Sequence, residues 1–102
     1  ERGVPAGVIA VEYAFSFGNG KPQRADIVVF GTDGKAKLLV ECKACNVHIT
    51  PEVFEQASRY NAVFKAPWIV ITNGIAHYAF STSNGIDYRV ENRIPAFREL
   101  QP

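Results

Sequence analysis

The sequence predicts an α/β fold, a mixed β-sheet with a helical crossover on one face, and three observations carry that reading. From Val8 to Phe17 large apolar residues alternate with small or polar ones. Thr50-Pro51-Glu52 opens a stretch with helical spacing, and Trp68-Ile69-Val70-Ile71-Thr72 is an unbroken β-rich run just after it.

In the first segment Ile9, Val11, Tyr13, Phe15 and Phe17 share one face, while Ala10, Glu12, Ala14 and Ser16 share the other, the period of a half-buried strand. Gly18-Asn19-Gly20-Lys21-Pro22 turns the chain. Ile27-Val28-Val29-Phe30 is a short apolar run closed by Thr32-Asp33-Gly34-Lys35, whose Asp-Gly pair predicts a hairpin into Leu38–Lys43. Three sequential antiparallel strands result. Thr50 supplies a hydroxyl N-cap, Pro51 suits the first helical position and Glu52 favours the positive helix end. Val53, Ala57, Tyr60 and Phe64 then recur at intervals of four, three and four, an apolar stripe to about Lys65 that Pro67 stops.

The run Trp68–Thr72 suits a central strand covered on both faces, and Asn73-Gly74 turns it into Ala76–Phe80. Asn84-Gly85 marks a further turn, Tyr88-Arg89-Val90 an edge strand, and Ile94–Pro102 a loosely structured tail. The order is β-β-β-α-β-β with that edge strand added. A helix between the third and fourth strands makes them parallel and the crossover right-handed.

With 102 residues, 47% of them hydrophobic, the chain can build one core, so residues 1–102 are expected to form a single domain and a two-domain enzyme is excluded. A net charge of +1 excludes a protein that binds nucleic acid through overall basicity. Any case for DNA rests on local residues. No apolar run approaches the roughly 20 residues of a membrane span, and Glu1-Arg2-Gly3-Val4-Pro5 lacks the pattern of a signal peptide. Two cysteines are too few for a secreted disulfide framework, so a cytoplasmic protein without membrane contact is expected. The absence of methionine and the start at Glu1 suggest a segment of a longer chain.

Glu41 and Lys43 stand two apart on a strand, so both leave one face about 6.6 Å apart while Cys42 points the other way. A short hairpin brings Asp26 beside Glu41. Two adjacent carboxylates repel unless a divalent cation lies between them, and Mg²⁺ is commonly held by one or two carboxylates with water and phosphate oxygens. The plainer alternative makes Asp26 a turn residue and Glu41–Lys43 an exposed pair of little energetic worth. Gln56 and Tyr60, four apart, share a helical face, or Tyr60 is a core aromatic with Gln56 as its exposed neighbour. Arg24, Arg59, Lys21, Lys35, Lys37 and Lys65 are candidate phosphate contacts. Cys42 and Cys45 form a CxxC with His48 close by, a rival half zinc site or redox pair that needs His77 or an acid to close, although an inward Cys42 reads better as a core thiol.

The ordered set Arg24-Ala25-Asp26, Leu39-Val40-Glu41-Cys42-Lys43-Ala44, Gln56-x-x-x-Tyr60 and Thr72-Asn73-Gly74 resembles the N-terminal nuclease domain of the restriction subunit of type I restriction-modification enzymes, a branch of the PD-(D/E)xK nucleases. The resemblance runs from about Val8 to Phe80 and implies a restriction-endonuclease-like mixed sheet in an αβββαβ arrangement. The family's first helix, which often supplies a further acid, has no matching segment, and Ala25 stands where the motif has Pro. By resemblance Asp26 and Glu41 are metal ligands for Mg²⁺ or Mn²⁺, the Cys42 backbone carbonyl completes the site, and Lys43 is the catalytic lysine. Gln56 and Tyr60 match the QxxxY motif. The implied activity is hydrolysis of phosphodiester bonds in double-stranded DNA, with Lys43 orienting the water and neutralising transition-state charge. Implied partners are a helicase-like motor and modification and specificity subunits. The alternative is an inactive module of this fold that binds DNA or a partner protein.

Overall fold

Alternation at the start of the chain becomes β1 (Ile9–Ser16) in the computed structural model, which describes residues 9–16 and 22–100. Val8, Phe17 and the expected turn from Gly18 to Lys21 lie outside those residues. Pro22 instead opens β2 (Pro22–Phe30), so Arg24-Ala25-Asp26 lies within a strand that begins earlier than the apolar run. β3 (Ala36–Cys42) follows through the Asp33-Gly34 turn, where Gly34 adopts φ 81°, a conformation costly for any other residue. β1, β2 and β3 pair antiparallel in sequence, as expected.

Helix α1 (Pro51–Phe64) starts where Thr50-Pro51 places it. The Thr50 hydroxyl makes no capping bond, contrary to expectation, and its backbone carbonyl accepts from the Val53 and Phe54 amides. At the other end Lys65 takes the left-handed conformation, φ 56°, and caps the helix through its N–H to Asn61 O. α1 carries the chain back to β4 (Trp68–Thr72), which pairs parallel with β3, Leu38 opposite Trp68 and Cys42 opposite Thr72. β5 (His77–Thr82) and the edge strand β6 (Tyr88–Glu91) extend the sheet antiparallel. Among the described residues the sheet has six strands in sequential order.

Both faces of the sheet are covered. On one, Val28, Leu39, Ile69 and Ile71 are fully buried against Ala57 of α1, flanked by Phe15, Tyr60 and Phe64. Each such large aliphatic side chain contributes about 1.5–3 kcal/mol of burial. On the other, Val29, Leu38, Val70 and Ala79 pack with Leu100, Ile94 and Trp68. This second layer corrects the expectation of a loose tail. Phe97–Leu100 is a short 3-10 helix, and Leu100, packed with Val29, Leu38, Val70 and Ala79, is only 4% exposed and shields the second face of β4 from water. Among the described residues no helix is long and apolar enough to cross a membrane.

Candidate active site

The β2–β3 register pairs Ile27 with Val40, and one step further toward the open end of the hairpin stand Asp26 and Glu41. Asp26 Oδ2 accepts a 2.8 Å hydrogen bond from the Cys42 backbone N–H, which fixes this carboxylate at the end of β3. Glu41 projects to the helix side and is 4% exposed. Its Oε1 is buried with no hydrogen-bond partner among the described residues. Burial, followed by the charge of Asp26, pushes the Glu41 carboxyl up to about 7, while Lys43 and the Asp26 amide pull weakly the other way. Buried unpaired carboxylate oxygens are costly, so this arrangement is poised to accept either a proton or a cation.

Lys43 lies one residue past β3, its N–H donating to Thr72 O at 2.8 Å. Its Nζ donates to Gln56 Oε1 at 3.4 Å, and Gln56 Nε2 donates to Tyr60 Oη at 3.1 Å. Tyr60 is set edge-on against Phe15, ring centroids 5.2 Å apart. Gln56 and Tyr60 therefore do more than share a face. They carry the position of the aromatic core out to the lysine. The plainer reading is corrected on both counts: Asp26 belongs to a strand, and Glu41 is buried rather than half of an exposed ion pair.

Cys42 also departs from expectation. It is exposed, not a core thiol, because α1 and its preceding loop cover the Glu41 side of the strand end while the opposite side is open beyond Val40. Cys45 is exposed and free, and among the described residues no group of three or more His, Cys, Asp or Glu side chains could hold a metal. That leaves the zinc alternative without a ligand set there.

Arg59 is exposed on α1. Lys35, Lys37 and Lys65 gather at the opposite end of the sheet, Lys37 standing roughly 13 Å along β3 from Glu41 and pairing with Asp33 at 3.1 Å. They are too distant to share a phosphate with Glu41. Lys21 and the Arg24 side chain lie outside the described residues. Sequence reasoning missed the second task of Asn73, whose Nδ2 reaches Val47 O at 2.8 Å, and the buried Asn61. The signal for the first was an Asn-Gly turn that also accounts for itself as a hairpin. For the second, only a polar residue beside an apolar stripe stood out.

Fold and site define an α/β protein whose sheet ends in an acid pair backed by a lysine. The chain belongs to the family described as type I restriction enzyme R protein N terminus (HSDR_N), whose model matches residues 1–95. That membership gives it a role in restriction-modification. No curated protein and no solved structure matches it.

Proposed function

We propose that this chain is a metal-dependent nuclease domain of the PD-(D/E)xK kind that hydrolyses phosphodiester bonds in double-stranded DNA. The observation that carries the reading is the buried Glu41 Oε1 with no hydrogen-bond partner among the described residues, next to the Asp26 carboxylate. This donor set is all oxygen and anionic, the chemistry that suits Mg²⁺ or Mn²⁺, with the Cys42 backbone carbonyl as a third ligand. When bound, such an ion supplies charge that polarises the phosphate and makes a water more acidic.

The chain's own residues do the rest. Asp26, held by the Cys42 amide, keeps one carboxylate fixed while burial keeps Glu41 from turning to solvent. Lys43, held by Gln56, orients the attacking water and neutralises charge developing on the phosphate. Tyr60 limits the swing of Gln56. Arg24 and Arg59 contact phosphates that flank the scissile bond, and the other subunits of a restriction-modification complex, including a motor, deliver the duplex.

Melting curves with and without Mn²⁺ test the site without any knowledge of a DNA target. At ten times its Kd an ion binding only the folded state adds about 1.4 kcal/mol, a rise of roughly 6–11 °C in a domain of this size. Asp26→Asn removes a charged ligand while preserving shape and loses most of that rise. Equal rises in both proteins mean that the ion binds elsewhere and remove the site. If the wild type takes up Mn²⁺ and binds duplex yet leaves plasmid uncut, the domain is a binding module rather than a nuclease.

A further inference from the structure

Between β3 and α1 the chain from Lys43 to Thr50 has no regular structure beyond a turn closed by the Val47 N–H on Ala44 O, 2.9 Å. The lysine at the head of this loop donates its backbone N–H to Thr72 O. The next anchor comes from Asn73, one residue past β4. Its Nδ2 crosses to Val47 O at 2.8 Å, while its Oδ1 accepts from the Ile75 and Ala76 amides at 2.9 and 2.7 Å. Gly74, at φ 87°, directs its own amide to Thr72 Oγ1. The two ends of one amide side chain thus serve different purposes. The oxygen shapes the β4–β5 turn, and the nitrogen fastens the Lys43 loop to that turn.

We propose that Asn73 is a positioning residue for Lys43. It holds the loop closed four residues beyond the lysine, so that Lys43 Nζ stays within reach of Gln56 and the acid pair. The inference rests on the nuclease reading of Lys43 and adds a residue that touches neither metal nor substrate. The bond to Val47 is exposed, so its loss has little effect on stability, whereas a displacement of about 1 Å at a reacting group can cost about 100-fold in rate.

The test separates the two ends of the amide. Asn73→Asp keeps an Oδ acceptor for the turn amides and sets a carboxylate oxygen against the Val47 carbonyl. Asn73→Ser is neutral, keeps a short acceptor and cannot reach Val47. Both variants are expected to melt within a few degrees of wild type, with the Lys43 and Val47 amides exchanging hydrogen about tenfold faster. In plasmid cleavage kcat falls about 10- to 100-fold in both, and the KM of Asn73→Ser for duplex is unchanged. Wild-type exchange at Lys43, or wild-type kcat in Asn73→Ser, overturns the proposal. A raised KM at wild-type kcat also overturns it, since Asn73 would then be a DNA contact. If the wild type does not cut at all, the nuclease reading falls, and exchange at Lys43 alone decides whether Asn73 holds the loop.

Discussion

Among the described residues two polar side chains are buried, Asn61 and Glu41, one at each end of the sheet, and they are treated in opposite ways. Asn61, 1% exposed near the end of α1, has its side chain fully engaged: Nδ2 donates to both Ala66 O and Tyr88 Oη, and Oδ1 accepts from the Ala66 N–H. Glu41, 4% exposed at the end of β3, has an oxygen with no partner among the described residues and a carboxyl pushed up to about 7. The first closes a helix end onto the strand that follows. The second leaves charge capacity open. A buried polar group without a partner is unusual, and the contrast marks the Glu41 end of the sheet as the one with capacity left for a proton or a ligand.

The largest expected effect sharpens the Glu41 end. On the proposed mechanism Lys43→Ala is expected to lower plasmid cleavage by about 100- to 1,000-fold with melting temperature and duplex affinity near wild type, because its ammonium would act on transition-state charge. Steady-state cleavage beside a melting curve checks this. Unchanged cleavage removes Lys43 from the mechanism.

Next comes the pH response of the metal-free protein. Glu41 has a folded pKa above its ordinary 4.5, so its contribution is full below about pH 4.5 and is lost as pH rises through about 7. The stability lost over that window amounts to at most about 3 kcal/mol. Denaturant titrations between pH 4.5 and 8 should show the fall, and Glu41→Gln should flatten it and be the more stable protein at pH 8. Equal slopes in both proteins would mean that the Glu41 carboxyl is as comfortable folded as unfolded, and the contrast with Asn61 would disappear.

The smallest of the three concerns the closed end. Asn61→Ala leaves the Ala66 amide and carbonyl and the Tyr88 hydroxyl short of a partner, at about 2 kcal/mol. Its Mn²⁺-induced melting rise should match that of wild type. A loss of that rise would show that the two ends are not independent.

Much of this is legible in the amino-acid sequence. β4 was legible because a continuous apolar run with both faces covered leaves no alternative, and the hairpins at Asp33-Gly34 and Asn73-Gly74 were legible because their glycines need positive φ. That Asp26 and Glu41 stand side by side was legible from the hairpin, whereas their reading as metal ligands came from the family resemblance. What alternation could not supply was which face of β3 is covered at its end. It separates Glu41 from Cys42, and the ordinary preference of a thiol for burial then chose wrongly. The tail failed for a related reason, since Ile94 and Leu100 are too far apart to form a periodic pattern and earn their place only against Val70 and Ala79. Asn73 was read as a turn residue, which is true, but its bond to Val47 spans 26 positions and no local signal encodes it.

The parallel pairing of β3 with β4 bears on the order in which the site comes into being. Asp26 and Glu41 meet as soon as one hairpin closes, an event of local contacts and low entropic demand. Lys43 finds Thr72 and Gln56 only when α1 has formed and the crossover has returned the chain to β3. Contacts of that separation form late and slowly. A nascent chain would therefore bring its two acids together before it holds the lysine in place, and the site would be assembled from the hairpin outward.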